Sequence, residues 1–214
     1  MKKILLSAIL IASCLVNAQE LKFGAKLGLN ISNFSGDLTD AKSLIGAQLG
    51  GFAEIKITDK FAVQPELLFS MQGSKTSYSE TDVNYSYSEN SKNKLNYLNI
   101  PVLAKLYISE KFALLAGPQF GLLMSAKKDF DISETISGVN DTYSESIDAK
   151  NFYKSVAMSF NLGTTYSITE NIFVDARYNL GLSNISKNYT DENGDAISTN
   201  IKNNLIQFSV GYKF

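Results

Sequence analysis

Residues 205–214 alternate without a break: Ile206, Phe208, Val210, Tyr212 and Phe214 fall on one side of an extended backbone, and Leu205, Gln207, Ser209, Gly211 and Lys213 on the other. Successive side chains of a strand point to opposite faces, so a period of two marks a strand held between two unlike surroundings. Eight stretches of the chain carry this pattern. The fold it predicts is all-β.

The apolar face is continuous from stretch to stretch. It takes Phe23, Ala25, Leu27 and Leu29, then every second residue of 45–57, 61–71, 98–108, 112–124, 156–168 and 172–182, with no charged residue anywhere on it. The opposite face carries Lys22, Lys26, Glu54, Lys56, Glu66, Lys105, Asp175, Arg177 and Lys213 among many Gly, Gln, Asn and Ser residues. Alternation alone does not say which face is inside. A soluble barrel with an apolar cavity would turn the charges outward; a membrane barrel would turn them inward. The aromatic final stretch, the apolar belt on every strand and the glycines interleaved with long charged residues favour the membrane barrel.

Connections alternate in length. Ile57-Thr58-Asp59-Lys60-Phe61, Ile108-Ser109-Glu110-Lys111-Phe112 and Ile168-Thr169-Glu170-Asn171-Ile172 repeat one turn pattern of apolar, hydroxyl, acid, polar, apolar. The spans 33–43, 74–93, 127–153 and 184–202 are longer and rich in Ser, Asn, Asp, Thr and Tyr. Short and long connections in alternation predict an eight-stranded antiparallel up-and-down transmembrane β-barrel, with all long loops at one end and both termini at the other. Termini and short turns are expected in the periplasm.

The N-terminus predicts export. Lys2 and Lys3 precede an apolar run over 4–16 and a small-residue cleavage site at Val16-Asn17-Ala18, so 1–18 reads as a signal peptide and 19–214 as the barrel domain. The run is too short for a transmembrane helix, which needs ~20 residues. Ile11-Ala12-Ser13-Cys14 resembles a lipobox, but the Val-Asn-Ala-Gln site fits ordinary cleavage, which removes the only cysteine. With 20 basic and 21 acidic residues and no basic cluster, nucleic acid is not an expected partner. No linker divides the remainder.

An eight-stranded barrel has an interior just wide enough for side chains to fill it. Glycines at 24, 28, 46, 50, 117, 121, 163, 181 and 211 share the polar face and make room for its long residues. Buried charges must pair. The expected interior network is therefore Lys26, Glu54, Lys56, Glu66, Lys105, Asp175 and Arg177, with Glu54 and Glu66 diagonal across the hairpin at 57–61. Pro65, Pro101 and Pro118 lie inside strand patterns, where each removes a ladder donor, and predict bulges or missing ladder bonds.

Three segments carry a family resemblance: Gln64-Pro65-Glu66-Leu67-Leu68-Phe69-Ser70, Asn96-Tyr97-Leu98-Asn99-Ile100-Pro101-Val102-Leu103-Ala104-Lys105 and Ala116-Gly117-Pro118-Gln119-Phe120-Gly121. In their order and spacing they resemble the outer-membrane β-barrel family often labelled PorT-like or porin-family. The resemblance implies a barrel in the outer membrane of a Gram-negative bacterium and leaves pore activity open. The aromatic end, Tyr212 and Phe214, likewise resembles the insertion signal by which such barrels address the barrel-assembly machinery.

Catalytic constellations are scarce. Without histidine there is no Ser-His-acid arrangement, and without a mature cysteine no Cys/His metal site, so neither an enzyme nor a cofactor is expected. Asp191, Asn193 and Asp195 have the spacing of calcium-loop ligands, but Ala196 stands where glycine is needed and Lys202 where the closing glutamate belongs; a turn at Asn193-Gly194 is the plainer reading. Tyr78, Tyr85, Tyr87, Tyr143, Tyr153 and Tyr189 punctuate the long connections, a composition suited to binding an extracellular ligand or protein, or to strands continued beyond the lipid. Two functions follow: a structural or interaction barrel with a filled lumen, or a porin-like passage for small solutes or ions. An accessory part in a secretion apparatus is a further alternative.

Overall fold

The computed structural model describes residues 20–38, 40–190 and 196–214. The strands are β1 (Leu21–Gly36), β2 (Lys42–Thr58), β3 (Phe61–Asp82), β4 (Tyr85–Tyr107), β5 (Phe112–Ile136), β6 (Val139–Asp148), β7 (Val156–Ser167), β8 (Ile172–Gly181), the short pair β9 (Tyr189–Thr190) and β10 (Ala196–Ile197), and β11 (Ile201–Lys213). Antiparallel ladders run β1-β2-β3-β4-β5-β7-β8-β11 and return to β1, closing a ring of eight. The predicted barrel is the fold. Closure leaves no strand edge unpaired around the ring, the condition for crossing lipid with strands.

The apolar face is outside. Leu27, Leu49, Leu67, Val102, Leu122, Leu162, Leu180 and Phe208, one from each strand of the ring, are all exposed. Lys26, Glu54, Glu66, Lys105, Asp175 and Arg177 are buried. A water-soluble domain does not show such a girdle around a charged interior; lipid around the barrel accounts for both.

The hydroxyl of the repeated turn has a structural task. The Thr58 hydroxyl accepts from the Lys60 amide at 3.3 Å, the Ser109 hydroxyl from the Phe112 amide at 3.2 Å, and the Thr169 hydroxyl from the Ile172 amide at 2.9 Å. Each turn thereby satisfies a donor that its tight bend leaves without a ladder partner.

At the other end two of the four expected loops are strands. β3 runs to Asp82 and returns as β4 from Tyr85, so most of 74–93 is ladder; β5 runs to Ile136 and returns as β6, converting much of 127–153 likewise. Ser137 (φ 49°) and Gly138 (φ 84°) form the two-residue hairpin turn that needs positive φ at both positions. β4 and β5 stay paired to Tyr85↔Ile136, so β3, β4, β5 and β6 stand above the barrel as one four-stranded sheet. Below it β7 takes the place of β6 beside β5, after a single 3-10 turn at Lys150–Phe152. The calcium reading at Asp191, Asn193 and Asp195 and the signal peptide both lie outside the described residues.

The prolines leave gaps rather than bulges. The β3/β4 ladder passes from Pro65↔Val102 to Leu68↔Asn99, the β4/β5 ladder from Pro101↔Gln119 to Ala104↔Ala116, and the β2/β3 ladder from Phe52↔Glu66 to Ile55↔Val63. Register is unchanged across each gap. Register shifts occur elsewhere, including between Asn96 and Tyr97 in the β4/β5 pair.

Candidate functional site

The lower bore is filled by two joined ionic clusters. β3 and β8 face each other across the ring, and between them Arg177 donates to both Glu66 oxygens at 2.8 Å each and to Asp175 at 2.8 Å. Lys26 Nζ lies 3.1 Å from both Glu66 and Asp175. Room for these side chains comes from their neighbours in register: Gly50 and Gly211 flank Lys26, and Gly163 stands beside Arg177. The two cations balance the two carboxylates, and a fork-shaped guanidinium matched to a carboxylate is the geometry in which a buried pair offsets its desolvation.

Nearer the short turns, Glu54 accepts from Lys105 at 2.8 Å, pairs with Lys213 at 3.2 Å and takes the Tyr107 hydroxyl. Gln64 joins the clusters, donating to Glu66 at 2.6 Å while its carbonyl accepts from Lys105 at 3.3 Å. The Phe173 ring lies 5.8 Å from the Lys105 ammonium and 5.6 Å from that of Lys213, a cation–π contribution beside the second positive charge.

Six of the seven expected network residues are thus brought together, and Lys56 is not. It lies closer to the turn, half-buried at the mouth, 3.6 Å from Glu20, which also pairs with Lys22 at 2.8 Å. Face parity assigns Lys56 to the lumen, but its depth puts it in a vestibule of about 760 Å³ between the short turns, floored by Glu54, Tyr107 and Lys213. Lys213, Tyr107 and Gln64 are network members that were not anticipated as partners. All three fall on the polar parity of their strands, which was the available signal.

Above the ions the filling changes character twice. Asn30, Gln48 and Gln207 form a chain of side-chain hydrogen bonds at 2.9–3.0 Å, continued to Ser209 at 3.0 Å. A cavity of about 20 Å³ beside Asn99, Gln119 and Asn179 has room for about one water. Then Phe34, Leu95, Tyr97, Leu123, Ala126, Ala149, Tyr153, Ile185 and Ile201 close the bore with an apolar plug. The charge network thus fills only the lower part of the lumen; its upper end is apolar, because residues from the connections, Tyr153 and Ile185, fold inward over Leu95 and Tyr97.

The protruding sheet is two-faced. Odd positions of β4 point into the bore at Lys105, Asn99 and Tyr97, and the same parity continues upward through Glu89, Tyr87 and Tyr85. On this lumen-side face register brings together Tyr78, Glu80 and Asp82 of β3, those β4 residues, Lys128, Phe130, Ile132, Glu134 and Ile136 of β5, and Val139, Asp141, Tyr143, Glu145 and Ile147 of β6. The triplet Tyr-Ser-Glu occurs on three of the strands, and in each the phenol donates to the following glutamate: Tyr78 to Glu80 at 3.1 Å, Tyr87 to Glu89 at 3.0 Å and Tyr143 to Glu145 at 3.0 Å. Those hydrogen bonds raise all three phenol pKa values. On the opposite face Lys94 meets Asp129 at 2.5 Å and Lys92 meets Asp131 at 3.4 Å; hydrogen bonding to Lys94 holds the Asp129 carboxyl below its usual range.

At the barrel's other end Tyr212 and Phe214 lie exposed on the outer face, rings 5.5 Å apart, and the Phe214 amide donates to the Phe23 carbonyl at 2.9 Å. Aromatics at the rim of an apolar belt mark a lipid interface. The family model described as "Outer membrane protein beta-barrel domain" matches residues 17–187. The chain belongs to that family. As a family member it is an outer-membrane protein, and two of the three resembling segments, 64–70 and 96–105, supply Gln64, Glu66 and Lys105 to the ionic clusters. Solved structures with a similar fold include Ail, the attachment invasion locus protein of Yersinia pestis (15% identity, 91% of this chain and 99% of that one, TM-score 0.43), Neisserial surface protein A (14%, 90% and 97%, 0.43) and CarO of Acinetobacter baumannii (11%, 88% and 97%, 0.33). No curated protein matches.

Proposed function

We propose that the protein is a closed outer-membrane barrel whose task is to hold the protruding sheet at the cell surface, a structural or interaction role rather than the passage of solutes. The observation that carries this reading is the stacked filling of the bore: Lys26, Glu66, Asp175 and Arg177 have side chains at 0–1% exposure, and the apolar plug lies above them. A hydrated pore would leave such charges wet. In this reading 1–18 is a signal peptide removed on export. The termini and the Asp59, Glu110 and Glu170 turns are periplasmic, the sheet is extracellular, and the Tyr212 and Phe214 end addresses the assembly machinery.

The test is conductance of the purified protein in planar bilayers. The closed barrel gives no steady channel. Porin-like passage, the competing reading, gives one. Cross-linking in intact cells then identifies what the sheet touches, including any secretion apparatus.

A further inference from the structure

The two faces of the protruding sheet handle charge in opposite ways. On the outward face Lys92 and Lys94 are paired with Asp131 and Asp129. On the lumen-side face six carboxylates share the surface with one ammonium, Lys128. That ammonium sits 4.5 Å from the Phe130 ring centroid, so an aromatic of this face already hosts a cation. Glu80, Glu89 and Glu145 each accept a tyrosine hydroxyl and keep acceptor capacity for further donors.

We infer that this face docks an extended polypeptide rich in lysine or arginine. Guanidinium and ammonium groups match both of its elements, the carboxylates by charge and the tyrosine rings by cation–π contact. A second copy presenting the same face, or an anionic polymer, would meet like charge. An extended shape fits because, among the described residues, β6 has a ladder to β5 alone and β3 beyond Lys75 has one to β4 alone, so both borders of the sheet offer backbone groups to an added strand.

The inference deepens the proposed interaction role, and its test separates the two. Fluorescent nona-arginine is titrated into the full barrel in neutral detergent, read by anisotropy, with nona-glutamate and dextran as comparison probes. Nona-arginine alone should bind saturably. Glu80→Gln/Glu89→Gln/Glu145→Gln should weaken it about tenfold or more, and Tyr78→Ser/Tyr143→Ser about threefold at unchanged charge. Asp129→Asn/Asp131→Asn/Asp148→Asn, which removes as much charge from the other face, should change it less than about twofold. Heat-modifiable mobility and limited proteolysis check that each variant keeps the barrel and the sheet. Equal losses in both acid triples, absence of nona-arginine binding, or preference for dextran would overturn the inference. Binding by purified protein combined with none on intact cells would instead count against the surface orientation in the proposed function and leave the docking face standing.

Discussion

Arg177 and Glu66 come from opposite walls of the barrel and meet through two parallel contacts of 2.8 Å each, so one ion pair ties β8 to β3 across the bore. Neither strand has a ladder to the other. The pair therefore links the ring in a direction that backbone hydrogen bonds cannot.

Glu66→Ala removes the carboxylate shared by Arg177 and Lys26 and leaves both cations to Asp175. Stranding a buried charge in this way costs on the order of 3 kcal/mol. Denaturant unfolding, followed by heat-modifiable mobility, should show a loss of that size. Unchanged stability would mean that water already solvates these charges.

Phe52 lies over Gly24 and Phe173 over Gly211, their partners in register, and the two rings meet edge to face at 5.4 Å. A Cβ at either glycine would run into the ring. Gly211→Ala should therefore destabilise the barrel by about 1–3 kcal/mol. Adding Phe173→Leu should recover part of the loss, and additive losses in that cycle would show that ring and glycine do not interact.

Face parity was legible in the sequence because strand side chains alternate, and it placed Lys26, Glu54, Glu66, Lys105, Asp175 and Arg177 in the bore. Depth was not legible. Lys56 shares Glu54's parity yet sits in the mouth, and which groups meet across the bore depends on strand stagger, so Tyr107 and Lys213 were not seen as partners of Glu54. Phe34, Leu95 and Ile201 have lumen parity too; as apolar residues on a polar face they were the trace of the plug. The protruding sheet was legible only in part: Ser, Asn and Tyr over 74–93 fit a loop or strands continued beyond the lipid, and the Tyr78/Glu80 and Tyr85/Tyr87 alternation was the strand signal that decides between them.

That difference has a measurable consequence. A pair of long loops would be cut at many points, but paired strands resist proteases and yield at turns. Limited proteolysis of intact cells should cleave the two hairpins near Val83-Asn84 and Ser137-Gly138. Scattered cleavage through 74–93 would contradict the sheet, and cleavage at the Asp59, Glu110 or Glu170 turn would reverse the orientation.

Phe214 meets Tyr212 edge-on at the rim and anchors its amide on β1. Deleting Phe214 should lower the amount of heat-modifiable barrel in the outer membrane. If the purified variant refolds in detergent as well as the parent, the defect lies in delivery to the membrane. Parental levels in cells would argue against an insertion signal.

The closed bore is best tested by the current through single molecules in a planar bilayer. With Lys26, Glu66, Asp175 and Arg177 dry and paired beneath the apolar plug, the barrel should insert without a steady conductance step. A reproducible open level in the parent protein, shifted in size or ion preference by Glu66→Gln, would contradict it.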